Sequence, residues 1–230
     1  MDAIQRAPGE KITYEKCFWL FFIGSFLGVL IEGIFCLISK GNWESHVVTV
    51  WGHFNILYGA GAVLFYIFAT ILKSKSIWLR SFCIMCIATV LELLCGLYLR
   101  NILGMKAWDY STCFLNYKGI ICPKFALGWG VSAFAFCCVV HLIDRALCRC
   151  SGKGWRIACF GLSLFMAVNL VLTAASIHRW SDRYYGFNAV NVLEDCIDHN
   201  ASDLWMRNRF IEWSFTEKGG INNGQTKHSP

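Results

Sequence analysis

The chain has 230 residues, of which 56% are hydrophobic and only 16% are charged, and its formal net charge is +6. Soluble domains carry about 25% charged residues, so this composition excludes a soluble enzyme, a disordered chain and a secreted disulfide scaffold. The apolar residues form long blocks instead of alternating with polar ones, which excludes a β-barrel.

Five apolar segments are long enough to cross the hydrocarbon core of a bilayer, which takes about 20 residues. We expect an all-α integral membrane protein with a transmembrane domain over residues 1–177. The spans are predicted at about 17–38, 54–72, 79–103, 125–147 and 157–177. The first span lacks a small-residue cleavage site, which indicates an uncleaved span. Residues 178–230 are predicted to form a polar C-terminal tail whose end is disordered.

The positions of lysine and arginine predict the orientation, because basic residues are retained on the cytoplasmic side of the membrane. The N-terminal segment and the second and fourth loops carry more of them than the first loop, the third loop and the region after the last span. We therefore expect a cytoplasmic N-terminus. No basic stripe with interleaved aromatic residues occurs, so the expected partner is the lipid bilayer and not a nucleic acid.

The first two predicted spans resemble the next two. Each pair begins with a span that carries a glutamate, Glu32 or Glu92. Each second span then opens with two glycines, which are Gly59 and Gly61 in the first pair and Gly128 and Gly130 in the second. This pattern predicts a duplicated two-helix unit, whose halves are parallel repeats.

The two glutamates are the main candidates for a functional role. A charge inside hydrocarbon costs about 2.5–3.5 kcal/mol on insertion scales, so such residues usually face an interior. Gly24 and Gly28 share a helix face with Glu32, and small residues let helices approach closely. We expect Glu32 and Glu92 to line a central cavity and bind a cation, a proton or a polar substrate. The alternative is a structural role, with Glu92 paired to Arg100 or to a loop cation.

The third loop holds the densest group of unusual residues, with Trp108, Asp109 and Tyr110 in succession and Asn116 after them. Trp and Tyr are common at membrane interfaces, so the loop is either an interfacial anchor or the mouth of the cavity. The chain has no Ser, His and Asp set with catalytic spacing and its histidines are scattered, so no catalytic residue, metal or cofactor is expected.

Most of the 13 cysteines lie in apolar segments and are expected to behave as small apolar residues. Cys113 and Cys122 share the polar third loop. They are the candidates for a disulfide if that loop faces an oxidising compartment.

Several short stretches together resemble a known family. They are Glu32, Tyr58-Gly59-Ala60-Gly61, Leu91-Glu92, Trp108-Asp109-Tyr110-Ser111, Leu115 to Cys122 and Gly128-Trp129-Gly130. Over about Leu20 to Ala135 the chain resembles the bacterial integral membrane proteins described as putative ABC transporter permeases of the CmpB type, formerly a domain of unknown function. The tetrapeptide W-D-Y-S followed by a short N-x-x-G-x-x-C is the most specific part of this resemblance.

The resemblance implies a permease or transporter subunit in a bacterial plasma membrane. The chain has no nucleotide-binding loop, so an ATP-driven mechanism needs a separate ATPase subunit. A homo-oligomer is a further candidate assembly. The candidate residues for binding a substrate or ion are Glu32, Tyr58, Gly59, Gly61, Glu92, Trp108, Asp109, Tyr110, Asn116, Gly128 and Gly130.

The chain departs from the family pattern at two places. The loop before the second span keeps the ends of a G-P-x-C-P-x-Y-G pattern, at Gly52 and Gly59, but lacks its prolines and cysteine. Ile120 stands where the family usually has an arginine, which leaves one fewer cation near Asp109. Two other functions stay open: a membrane-embedded enzyme acting on a lipid or lipid-linked substrate, and a non-catalytic membrane assembly protein.

Overall fold

The computed structural model of the protein describes residues 11–150 and 152–216. It is almost entirely helical, with one short antiparallel ribbon. The elements in chain order are α1 (Tyr14–Lys40), α2 (Ile56–Ile71), α3 (Ile77–Tyr98), a π-helical turn (Leu99–Leu103), β1 (Met105–Lys106), α4 (Pro123–Arg149), α5 (Lys153–Tyr184), α6 (Val192–Asn200), α7 (Asp203–Arg209) and β2 (Ser214–Phe215). The segment predicted to be disordered, residues 218–230, lies outside the described residues.

Within the described part of the chain, four helices are long and apolar enough to cross a membrane: α1, α3 with its π-helical turn, α4 and α5. This confirms the prediction of an all-α membrane protein. The apolar helix α2 has 16 residues, which extend about 24 Å and fall short of a typical hydrocarbon core of about 30 Å. It returns the chain to the end where α3 begins, so the prediction of five crossings depends on this short helix.

Large apolar side chains stay exposed along the outer faces of the long helices. Ile34 of α1, Val131 of α4 and Phe160 of α5 are 51%, 72% and 75% exposed. Patches of this kind are rare on soluble monomers. In a bilayer these side chains contact acyl chains, while the helical backbone satisfies its own hydrogen bonds.

The helices pair in sequence order, α1 with α2 and α3 with α4. Glycines allow the first pair to pack closely and antiparallel. A Cβ atom at Gly28 would lie 2.4 Å from the ring of Tyr58, and one at Gly24 would lie 2.8 Å from the Cβ of Ala62. This is the pairing that a duplicated two-helix unit predicts.

The helix order puts the long connections at one end of the bundle. This loop end contains the first loop (residues 41–55), the third loop (residues 104–122) and the segment after α5. The opposite end, here called the turn end, contains the N-terminus of α1 and the short α2–α3 and α4–α5 turns. Among the described residues, the carboxylates at the turn end are Glu15 and Asp144.

A polar network at the turn end joins three helices. Lys16 of α1 is 9% exposed, and its ammonium lies 2.6 Å from the Oδ1 atom of Asp144 on α4. Tyr66 of α2 donates its hydroxyl to the same oxygen at 2.6 Å. Since a carboxylate in apolar surroundings needs such partners, the network fixes the relative positions of α1, α2 and α4.

The helix α5 continues to Tyr184, beyond the predicted end of the fifth span at residue 177. Its last turns form a second core with the third loop and the C-terminal segment, and the buried residues there include Leu103, Met105, Trp180, Met206 and Phe210. β2 pairs with β1 in this region. The segment after α5 is therefore folded onto the loop end as far as residue 216.

Candidate functional site

Each of the two predicted glutamates accepts a hydrogen bond from an aromatic side chain on the other helix of its pair. Tyr58 of α2 donates its hydroxyl to Glu32 of α1. Trp129 of α4 donates its indole N–H to Glu92 of α3 at 3.0 Å. The rings of Tyr58 and Trp129 contact each other, with centroids 5.8 Å apart. The two glutamates are thus connected through these rings across the boundary between the halves.

Glu92 is the more deeply buried of the two, with 4% of its surface exposed. It accepts a second hydrogen bond from the hydroxyl of Tyr110 at 3.0 Å. Buried carboxylates need partners of this kind. Arg100, which the sequence suggested as a partner of Glu92, instead donates to the backbone carbonyl of Gly119 at 3.1 Å and lies 3.9 Å from Asp109.

The motif residues of the third loop bind one another. The side-chain oxygen of Asn116 accepts the N–H of Gly119 at 2.9 Å, and Gly119 has a φ of 64°, which glycine adopts readily. Tyr110 donates its N–H to the carbonyl of Gly119 at 2.8 Å, and the indole of Trp108 donates to the carbonyl of Ile120 at 2.8 Å. The loop therefore holds Tyr110 against the carboxylate of α3.

Asp109 stabilises a turn of the same loop. One carboxylate oxygen accepts the N–H of Ser111 at 2.9 Å, and the other lies 2.6 Å from the ammonium of Lys106. The hydrogen bond from Lys106, with help from Ser111, lowers the pKa of Asp109 to about 2. Ile120 is 1% exposed and packs over Gly96. The cations near Asp109 are Lys106 and Arg100.

The two glutamates line one cavity of about 1420 Å³ at the loop end. The walls come from helices α1 to α5, both long loops and the segment after α7. By the helical rise, Glu32 lies about 12 Å from the end of α1 and about 7.5 Å from its middle, so the cavity extends from the loop end toward the middle of the helix. The predicted binding residues in its walls are Glu32, Tyr58, Glu92, Trp108, Asp109, Tyr110 and Gly128.

The remaining predicted binding residues do not belong to these walls. Asn116 holds the third loop together, as described above. Gly59 packs against α1, where an added Cβ would lie 2.6 Å from the carbonyl oxygen of Phe21. A Cβ at Gly130 would lie 3.0 Å from the sulfur of Met85 on α3, and Gly61 is buried in α2. Three of these four residues therefore have structural contacts that explain them.

A family model described as Putative ABC-transporter type IV matches residues 19–174. The chain belongs to this family. The matched region of this ABC-transporter-type protein contains both helix pairs, the third loop and most of α5. The match confirms the resemblance seen in the sequence. Membership identifies the protein as a membrane transporter component. No solved structure matches the chain.

Sequence reasoning missed two polar residues of α5 that hold the first loop of this transporter component. Asn169 is fully buried, accepts the N–H of Trp51 at 3.0 Å and donates to its carbonyl at 2.9 Å. Thr173 accepts the N–H of Val50 at 2.9 Å. The available signal was a polar residue inside an apolar span, which usually faces protein rather than lipid.

The C-terminal segment also holds the first loop, and no sequence pattern predicted this contact. Glu212 accepts the N–H groups of Ser45 and His46 at 2.9 and 3.2 Å. Arg209 donates to the carbonyl of Thr49 at 2.9 Å. The first loop is therefore fixed between α5 and the end of the described chain.

Cys113 and Cys122 lie next to each other in this transporter component. Burial and the neighbouring Cys122 thiol raise the pKa of the Cys113 thiol, and both cysteines are free. The disulfide between them stays a prediction for an oxidising compartment.

Proposed function

We propose that the protein is a permease subunit whose loop-end cavity binds the transported solute through Glu32 and Glu92. The observation that supports this proposal is that both carboxylates line the same cavity, one from each two-helix half. A carboxylate has about four lone-pair sites, so each glutamate keeps acceptor capacity beyond its aromatic donors. A solute that carries positive charge or several hydrogen-bond donors fits such a site.

The contact between Tyr58 and Trp129 gives the site a means of responding to movement of the halves. Their rings meet at the boundary between the two helix pairs. Each ring also binds the glutamate of its own half. A shift of one half against the other would change the separation of the carboxylates, which is the kind of movement that repeat-built transporters use around a fixed site.

The solute site is tested by ligand-induced stabilisation of the full chain in liposomes. A panel of ions, small metabolites and lipid head groups is added to wild type, Glu32→Gln and Glu92→Gln. A ligand at about 100 times its Kd stabilises the native state by about 2.7 kcal/mol, so a binder raises the melting temperature of wild type. The effect is expected to be lost in both variants.

The control for this test is Glu15→Gln, which changes a glutamate in the first turn of α1, at the other end of the helix. It is expected to keep the full ligand response. The proposal is wrong if no ligand stabilises wild type, or if Glu32→Gln and Glu92→Gln respond as strongly as the control.

We infer that a separate ATPase subunit docks on the turn end, which is then cytoplasmic together with the N-terminus. Arg145 and Arg149 support this inference because they are exposed one helical turn apart at the end of α4. Arg80 is less available, since its guanidinium donates to the carbonyl of Ala69 at 2.9 Å. An acidic surface on the partner would complement the exposed pair.

The docking surface is tested by affinity purification from the native membrane, with detection of any co-purified chain that carries nucleotide-binding motifs. Arg145→Gln with Arg149→Gln is expected to lose that chain without loss of membrane insertion. The matched control, Lys118→Gln with Lys124→Gln, removes two exposed cations at the loop end and should retain it. Equal recovery from both double variants would contradict docking at the turn end.

A further inference from the structure

Four side chains of types that bind metal ions converge where α1 ends and the first loop begins. They are Glu32, Cys36, Glu44 and His46. A carboxylate oxygen of Glu32, the sulfur of Cys36 and a ring nitrogen of His46 lie within 4.8 Å of one another. The Cys36 sulfur is 3.4 Å from the Oε2 atom of Glu44 and 3.4 Å from the Nε2 atom of His46, and these two atoms are 3.1 Å apart.

The backbone brings these groups together from two directions. Glu32 and Cys36 are one helical turn apart, so they share a face of α1. Gly41 ends the helix with a φ of 76° and turns the chain back toward that face. His46 also has a positive φ, 44°, which is uncommon for a residue other than glycine. Conformations of this kind cluster at functional sites, where the surrounding structure maintains them.

Other side chains fix the orientation of these groups. Glu212 accepts the backbone N–H of His46 at 3.2 Å, and Asn55 donates to its carbonyl at 3.0 Å. The hydroxyl of Tyr58 donates to the carboxylate of Glu32. Hydrogen bonds to metal-binding residues are a regular feature of metal sites, because they orient the ligands before the ion arrives.

The distances between the groups are close to those of a zinc site. Bonds of about 2.3 Å to sulfur and about 2.0–2.2 Å to nitrogen and oxygen put tetrahedral ligand atoms about 3.3–3.6 Å apart. The separations among Cys36, Glu44 and His46 are 3.4, 3.4 and 3.1 Å. Small side-chain movements would bring these three groups and Glu32 onto one ion.

The kind of ligand atoms determines which ions fit. Calcium and magnesium prefer oxygen ligands, whereas a thiolate with an imidazole suits zinc and related divalent ions. Cys36 is 2% exposed, and an ionised thiolate in such surroundings is costly without a bound cation. Binding would replace the thiol proton by the ion and release that proton.

We propose that Glu32, Cys36, Glu44 and His46 bind one divalent transition-metal ion of the zinc class. The ion joins the end of α1 to the first loop and so fixes the wall of the cavity that contains Glu32. This site shares Glu32 with the proposed solute site, whereas Cys36, Glu44 and His46 belong to the metal site alone.

The test uses the full chain in detergent micelles, stripped with a chelator and titrated with Co²⁺ alone as the probe. A cysteine-ligated Co²⁺ ion gives a sulfur-to-metal charge-transfer band and intense visible bands typical of tetrahedral geometry. We expect these bands to saturate at one equivalent and to disappear when Zn²⁺ is added. Cys36→Ser should lose the charge-transfer band, and His46→Asn should bind at least about tenfold more weakly.

The matched controls are Cys95→Ser and His53→Asn. Cys95 lines the same cavity but is not one of the four groups, and His53 is exposed in the first loop. Both should bind Co²⁺ as wild type does. The choice of asparagine for His46 keeps a residue type that tolerates a positive φ.

Two results would overturn the proposal: no charge-transfer band in wild type, or the same band in Cys36→Ser as in wild type. If Cys36→Ser fails to fold, Glu44→Gln is used as the test variant instead. X-ray absorption of zinc-loaded wild type should show one sulfur and three nitrogen or oxygen neighbours. Zinc with more than one sulfur neighbour would place the ion elsewhere. If Cys36→Ser loses metal binding but keeps the solute response, the metal site and the solute site are distinct.

Discussion

Tyr110→Phe isolates one hydrogen bond to the buried carboxylate of α3. The hydroxyl donates to Glu92 at 3.0 Å, while the ring stacks on Phe125 with centroids 4.1 Å apart. Phenylalanine keeps the stacking and removes only the donor. The variant therefore measures the hydrogen bond without emptying space in the third loop.

The expected loss follows from the burial of Glu92, which is 4% exposed. Hydrogen bonds to charged groups contribute about 1.5–3 kcal/mol in soluble proteins, and inter-helix hydrogen bonds in a membrane protein average about 0.6 and reach about 1.7 kcal/mol. Since Glu92 keeps a second donor in Trp129, we expect Tyr110→Phe to lower the free energy of unfolding by about 1.5 kcal/mol.

The assay is equilibrium unfolding in mixed detergent micelles, run as a double-mutant cycle with Glu92→Gln. Tyr117→Phe serves as the control, because Tyr117 is in the same loop and 51% exposed. The control should change stability by less than about 0.5 kcal/mol. A coupling energy between positions 110 and 92 below about 0.3 kcal/mol would show that this contact does not hold the loop.

Four further variants test the packing and the charges. Gly28→Ala overpacks the α1–α2 contact and should cost about 1–3 kcal/mol in chemical denaturation, whereas Gly128→Ala meets open space and should cost much less. Asp144→Asn breaks a buried ion pair with Lys16 and should cost about 3 kcal/mol in the same assay, with equal stability as the contrary result. Asp109 has a lowered pKa of about 2, so its contribution is present above its ordinary pKa of 3.8 and is lost as the pH falls through about 2. The melting temperatures of wild type and Asp109→Asn should therefore differ by a constant amount from pH 7 to about pH 5 and converge near pH 2. Convergence already at pH 5 would contradict the lowered pKa of Asp109.

Local hydropathy accounts for the parts of the fold that the sequence predicted. Each long helix buries its own backbone hydrogen bonds and exposes apolar side chains to lipid, so its position depends on composition over a single stretch of about 20 residues. The same argument marks Glu32 and Glu92, because a carboxylate in such a stretch is costly unless it has partners. The repeated order of glutamate, loop and glycines further predicted that helices pair in sequence.

Contacts between distant positions could not be predicted in this way. Asn169 binds a loop more than a hundred residues earlier in the chain, and Glu212 binds the same loop from the C-terminal segment. These partners depend on how α5 and the segment after it pack against the bundle, which no local pattern encodes.

By itself, the sequence determined the class of the protein, the positions of its apolar helices, its two functional candidates in Glu32 and Glu92, and its family resemblance. The tertiary structure alone decided which groups meet them. Cys36 reads as a small apolar residue and His46 as an isolated histidine, yet the left-handed turn after α1 brings their side chains to 3.4 Å. The physical reason is that hydrophobicity is a property of a segment, whereas a binding site depends on the directions in which separate segments present their side chains.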